Sequence, residues 1–191
     1  MPAGRPRAPG GVSPLPDLDR WVADPAVRTR HERTAAASAG ELWAAARAVR
    51  LDDTGTLGGL VRWRIPGTPP DRRFQELFAT APFTVLAEGE HWSVSGLCGR
   101  IWTLARDYPR VDAERFARWD RPGTVRVVFA HGVRPAGDGR STLVSEARVA
   151  PVDRRARFAL RSLWLAVGRF EALIGAEPLE LAVRRAEGRG R

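Results

Sequence analysis

The chain has no lysine and no asparagine; all 31 of its basic residues are arginine. Without lysine there can be no Walker A phosphate loop, no Schiff-base or pyridoxal phosphate chemistry and no Tyr-x-x-x-Lys reductase pair. One cysteine, Cys98, leaves no internal disulfide. His31, His91 and His131 stand apart from one another and from Cys98, so no zinc-ligand spacing exists. There is no G-x-S-x-G elbow around Ser93 or Ser95 and no G-x-G-x-x-G fingerprint. No metal or cofactor is therefore expected. No segment approaches the roughly 20 uninterrupted apolar residues of a membrane helix. No apolar run of signal-peptide length stands near Met1, so the expected localisation is cytoplasmic.

What the chain has in quantity is arginine, alanine, glycine and proline, the balance that GC-rich coding produces. The net charge of +9 invites a nucleic-acid reading. The arginines, however, run from Arg5 to Arg191 with acids interleaved, whereas a nucleic-acid footprint is a concentrated patch. No nucleic-acid partner is expected. An arginine-driven binder of nucleic acid or membrane surface is the remaining alternative for the charge, and its binding would fall steeply with salt.

The 191 residues suit one domain large enough to bury a core unaided. Residues 1–24 carry five prolines and little periodicity and read as a disordered tail; 25–183 form the domain; 184–191 read as a disordered basic tail. Arg28 to Ala37 reads as a first strand. Ser38-Ala39-Gly40-Glu41 matches the capping box and starts a helix with Leu42, Ala45, Ala46 and Val49 on one stripe. Val61 to Ile65 reads as a short strand, Pro69 to Phe78 as a short helix, Phe83 to Glu88 and Trp92 to Cys98 as two strands, and Arg100 to Leu104 as a further candidate. Asp112 caps a short helix carrying Phe116 and Trp119. Val125 to Val133 and Leu143 to Val149 then form a hairpin around Gly137-Asp138-Gly139. From Asp153 a long amphipathic helix places Leu160, Leu163, Trp164, Val167 and Ile174 on one side. The sum is an α+β domain with an antiparallel sheet covered on one face.

The element order, the Glu41-Leu42-Trp43 helix after the first strand, the Phe116 to Gly123 segment, the Gly137-Asp138-Gly139 hairpin and the Glu146-Ala147-Arg148-Val149 strand resemble the START-like superfamily. More narrowly they resemble its bacterial polyketide cyclase/dehydrase-like branch, often labelled SRPBCC. The resemblance spans about residues 25 to 180 and rests on loose patterns. It implies a helix-grip fold: a curved antiparallel sheet wrapped around a long C-terminal helix, two or three short helices, and a hydrophobic cavity between sheet and helix. Members include lipid and sterol carriers, hormone receptors and aromatase/cyclases, so fold does not fix function. This chain departs from the pattern at His131, where an aromatic is common, and at Ala147, where threonine is common.

A site can be derived from the hairpin. If the turn centres on Asp138-Gly139, paired residue numbers sum to ~277, which sets His131 opposite Glu146 and Phe129 opposite Arg148, all on one face. Facing the cavity, Glu146 would hold the His131 imidazole, Arg148 would bind a carboxylate or enolate oxygen, and His131 could move protons. The alternative is a structural cross-strand pair with the arginine snorkelling to solvent. A one-residue slip would place Ser145 or Ala147 opposite His131 and dissolve the patch. Trp164, Leu160 and Val167 on the gripping helix, with Phe83, Trp92 and Trp102, are the remaining candidates for the ligand wall. Arg154, Arg155, Arg157 and Arg161 crowd the start of that helix, where the dipole disfavours them; anionic lipid headgroups or plain solvation would offset this. The expected function is binding of a small hydrophobic molecule such as a lipid, polyketide or aromatic metabolite. The alternative is a cofactor-independent cyclase, aromatase or dehydratase using His131, Glu146 and Arg148.

Overall fold

The computed structural model describes residues 15–64, 67–103, 107–167 and 171–188. Five strands, β1 (Val27–Ala35), β2 (Thr84–Gly89), β3 (Trp92–Gly99), β4 (Val125–Gly137) and β5 (Arg140–Pro151), form one antiparallel sheet in the order β1-β5-β4-β3-β2. Six helices accompany them among the described residues: α1 (Ala39–Ala48), α2 (Thr56–Arg64), α3 (Phe74–Phe78), α4 (Ala113–Ala117), α5 (Arg154–Val167) and α6 (Glu171–Ala186). The fold is α+β, with the C-terminal helices against one face of a curved sheet.

Local chemistry explains several boundaries. Ser38 accepts a hydrogen bond from the Glu41 backbone while the Glu41 carboxylate accepts from the Ser38 backbone, the expected capping box, and α1 begins there. The Asp112 side chain accepts from the Arg115 backbone at 2.7 Å and starts α4. Asp153 uses one oxygen for the Ala156 backbone and the other for Gly123, tying α5 to the β4 approach.

Two faces of the sheet bury different sets. On the inner face one cluster joins Val133 and Leu143 to Leu42, Trp43 and Ala46 of α1, Phe74 and Leu77 of α3, and Leu179 and Ala182 of α6. A second cluster at the other end joins Leu97, Val125, Val127 and Val149 to Leu160 of α5. On the outer face Val94, Cys98, Val128, Ala130 and Val144 pack against Phe116 of α4 and against Leu15, Leu18, Trp21 and Val22.

That last group corrects the assigned tail. Residues 15–22 contain a 3-10 turn at Leu18–Arg20 and bury four large apolar side chains, with the Trp21 ring 6.2 Å edge-on from Phe116. Proline content concealed an apolar patch whose partners lie far along the chain. At the other end α6 continues to Ala186, and Arg185 donates to the Ala48 carbonyl and pairs with Asp53 at 2.7 Å, so the domain extends past residue 183. The expected single C-terminal helix is described as α5 and α6, with 168–170 outside the described residues.

Two expected strands take other forms. Val61 lies in α2, and the backbone N–H groups of Gly55, just before the helix, and Leu57, in its first turn, donate to the Glu177 carboxylate of α6 at 2.6 and 3.2 Å. A cap from a distant element outweighs the β-like local composition; Ile65 lies outside the described residues. Residues 100–103 form a turn, and Leu104 lies outside the described residues.

Candidate functional site

The geometry of the β4–β5 hairpin decides which side chains share a face. Its two-residue turn is Asp138-Gly139, with φ of 49° and 69°, the left-handed conformations that a type I′ turn needs. Gly137 pairs with Arg140, as the expected register requires. Between Pro135 and Gly137, however, the ladder carries a bulge, and below it Pro135 pairs with Ser141. One extra residue on β4 shifts every later pair. His131 therefore lies opposite Ser145 and Phe129 opposite Ala147, while Glu146 lies opposite Ala130 and Arg148 opposite Val128. The expected His131–Glu146 and Phe129–Arg148 pairs do not form. Proline has no donor for the ladder, and its presence in a strand signals such a bulge.

Glu146 and Arg148 consequently point to the outer face. The Glu146 side chain, 1 % exposed, accepts from Arg148 at 2.7 Å, Arg28 at 2.9 Å and Arg30 at 2.8 Å. Arg148 also donates to the Val22 carbonyl at 2.8 Å and to the Asp19 carboxylate. This network straps the N-terminal segment to the sheet. Burial alone would raise the Glu146 pKa, but the hydrogen bonds from Arg148, Arg28 and Arg30 hold it below the usual carboxylate range.

Among the described residues the inner face has a gap between its two clusters. Two cross-strand rows occupy it: Thr29, Ala147, Phe129 and Ser95, and beside them His31, Ser145, His131 and Ser93. Above them lie Leu143 and Val133 under α1 and α6; below them lie Val149, Val127 and Leu97 near α5. Ser145 and Ala147 are partly exposed, although their strand is flanked on both sides and their neighbours Leu143, Val144 and Val149 are buried. Neither side chain belongs to the two apolar clusters that cover the rest of this face. The middle of the inner face is thus a recess with a floor of small, hydroxyl and imidazole side chains.

His131 is 5 % exposed and its Nε2 has no hydrogen-bond partner; the Nε2 of His31, one strand beyond Ser145, is buried and unpartnered too. Burial pushes the His131 imidazole down to about 4, so it is neutral at physiological pH. An aromatic group closes one side of the recess: Phe78 of α3 sits 5.1 Å from His131 and 4.9 Å from Phe129, Phe74 is 5.9 Å from His131, and Phe83 is 5.5 Å from Phe129. Cys98 faces the outer cluster, and burial pushes its thiol up to about 12, leaving no thiolate nucleophile. Among the described residues no group of three His, Cys, Asp or Glu is placed to hold a metal ion.

At the β1 edge an open groove of about 500 Å³ runs between Ala26 and Val27 and the helix residues Arg157, Leu160, Arg161, Trp164 and Leu165. Of the sequence-derived candidates, Phe129 and His131 lie on the recess floor, Phe83 lies beside it, and Leu160 and Trp164 line the groove. Trp102 packs with the α5-side cluster. Trp92 joins the outer cluster and does not face the recess. The Val167 side chain lies outside the described residues, although its backbone ends α5. Ser93, Ser95, Ser145, His31, Thr29 and Phe78 were not anticipated. Recognition of Pro135 as a bulge position would have brought Ser145 and Ala147 to the correct face.

No family model matches the chain. Comparison with curated proteins gives no match. Solved structures give weak likenesses. Zhui aromatase/cyclase from Streptomyces sp. R1128 is 16 % identical with a TM-score of 0.32, over 83 % of this chain and 94 % of that one. TTHA0849 from Thermus thermophilus is 12 % identical with a TM-score of 0.34, over 84 % and 99 %. Norcoclaurine synthase from Thalictrum flavum is 13 % identical with a TM-score of 0.29, over 97 % of each chain.

Proposed function

We propose that the protein binds a small hydrophobic molecule carrying hydrogen-bonding groups on the inner face of the sheet. The observation that carries this reading is the exposure of Ser145 and Ala147 in the middle of a flanked strand, between two closed apolar clusters. Phe129, Phe78, Phe83 and Ala147 offer apolar contact, while Ser145, Ser93, Ser95 and the unpartnered Nε2 atoms of His31 and His131 offer the few polar points that orient a ligand. A buried imidazole nitrogen without a partner carries a desolvation cost of about 1–3 kcal/mol, which a ligand hydroxyl or carbonyl would offset.

The enzyme alternative does not keep its acid/base pair, because Glu146 and Arg148 lie on the far side of the sheet from His131. An imidazole held neutral down to about pH 4 is also a weak proton acceptor near pH 7. Hydrogen bonding by His131 suits binding better than proton transfer. Native mass spectrometry beside a denatured sample tests the reading: a dissociable adduct, or uptake from a panel of lipids, polyketides and aromatic metabolites, supports it. A bare mass after exposure to the whole panel counts against it.

A further inference from the structure

Among the described residues two large hydrophobic side chains are exposed, Phe158 at 74 % and Leu165 at 89 %, and both belong to α5. Arg154, Phe158, Arg161 and Leu165 follow the spacing i, i+4, i+7, i+11 and so form one ridge of the helix, with Arg155 and Arg157 beside it. All four arginines are exposed, and α5 contains no acidic residue. None of the four forms a salt bridge with another described residue. Asp153, at the helix start, commits both carboxylate oxygens to the backbone of Gly123 and Ala156. The opposite side of the helix packs inward through Ala156 and Leu160. Cations at a helix N-terminus oppose the dipole, and exposed phenyl and isobutyl groups cost hydration free energy.

We propose that this face of α5 docks on an anionic membrane surface. The four guanidinium groups meet lipid headgroups while Phe158 and Leu165 enter the boundary with the acyl chains, which is the composition of an interfacial helix. Exposed aliphatic and aromatic side chains within the cationic ridge favour a lipid surface over a nucleic acid, which would reward the arginines but not Leu165. Arg161 and Leu165 also line the groove beside β1, so docking would present that groove to the bilayer.

Flotation of the full chain with vesicles of phosphatidylcholine, alone or mixed with phosphatidylglycerol, tests the proposal. Binding is expected with the mixed vesicles and not with neutral ones, and it should weaken as salt shortens the Debye length. Arg154→Gln combined with Arg155→Gln should lower the partition coefficient by about twenty-five-fold, at about fivefold per arginine. Phe158→Ala should lower it by about tenfold through lost apolar burial; since Phe158 is exposed, the variant should keep the wild-type unfolding midpoint. Three results would overturn the proposal: no flotation with anionic vesicles, flotation indifferent to Phe158→Ala, or a dimer in sedimentation that dissolves in Phe158→Ala and thereby assigns the face to a second copy of the chain.

Discussion

His131 and Glu146 sit on adjacent strands and experience opposite surroundings. Glu146 is buried among three guanidinium groups and is held ionised. Replacing it with glutamine removes the buried anion these cations share, leaving Arg148 with Asp19 and Arg30 with Glu32; a loss of about 3 kcal/mol in denaturant unfolding is expected, at the low end for a broken buried pair because those pairs remain and Arg28 and Arg30 are partly in water. Uptake by the folded fraction should persist, since the substitution lies on the outer face. His131 is buried without a charge partner, so its folded pKa, about 4, lies below the ordinary 6.5. The unfolded chain therefore binds the extra proton first as pH falls, and stability is lost between pH 6.5 and 4, by up to about 3 kcal/mol. Urea midpoints at pH 7 and pH 4.5 should show this loss in the wild type and a smaller one in His131→Phe; equal losses in both would assign the acid sensitivity to other groups. The sequence places both residues in the hairpin strands, but it does not show which face each takes, because that depends on one unpaired residue at Ala136.

Elements whose determinants are local were legible, and those with remote determinants were not. The capping box at Ser38, the Asp112 cap, the Asp138-Gly139 turn and the strand alternation of β1 all follow from neighbours within a few residues. Helix α2 depends on Glu177 of α6, and the ordering of residues 15–22 depends on Phe116 and the β4 and β5 side chains, so neither could be read from its own segment. Ser38→Ala should cost about 1 kcal/mol in unfolding free energy, the ordinary value of a lost N-cap. The bulge has its own signature. Cross-strand contacts in solution NMR should link His131 to Ser145 and Phe129 to Ala147; strong His131–Glu146 contacts on one face would restore the unbulged register and remove the recess floor.

Among the described residues the outer face of the sheet is packed at its centre and exposed along β1, while the inner face carries a packed cluster toward each end. The N-terminal segment and α4 cover the centre of the outer face, with the Glu146 network beside them; α1, α3 and α6 close one end of the inner face and α5 the other. Between them, among the described residues, lies a central belt in which Ser145 and Ala147 are partly exposed beside Phe129 and the buried His131, and that belt is the basis for the ligand-binding reading. The measurement that tests it most directly is uptake of the neutral fluorescent probe N-phenyl-1-naphthylamine by the wild type and by Ser145→Trp, with unfolding followed in parallel. The indole should fill the recess, so affinity should fall at least about tenfold, the equivalent of 1.4 kcal/mol, while the unfolding midpoint changes little. Equal uptake by both proteins, or none by the wild type, would contradict a binding recess at the centre of the sheet.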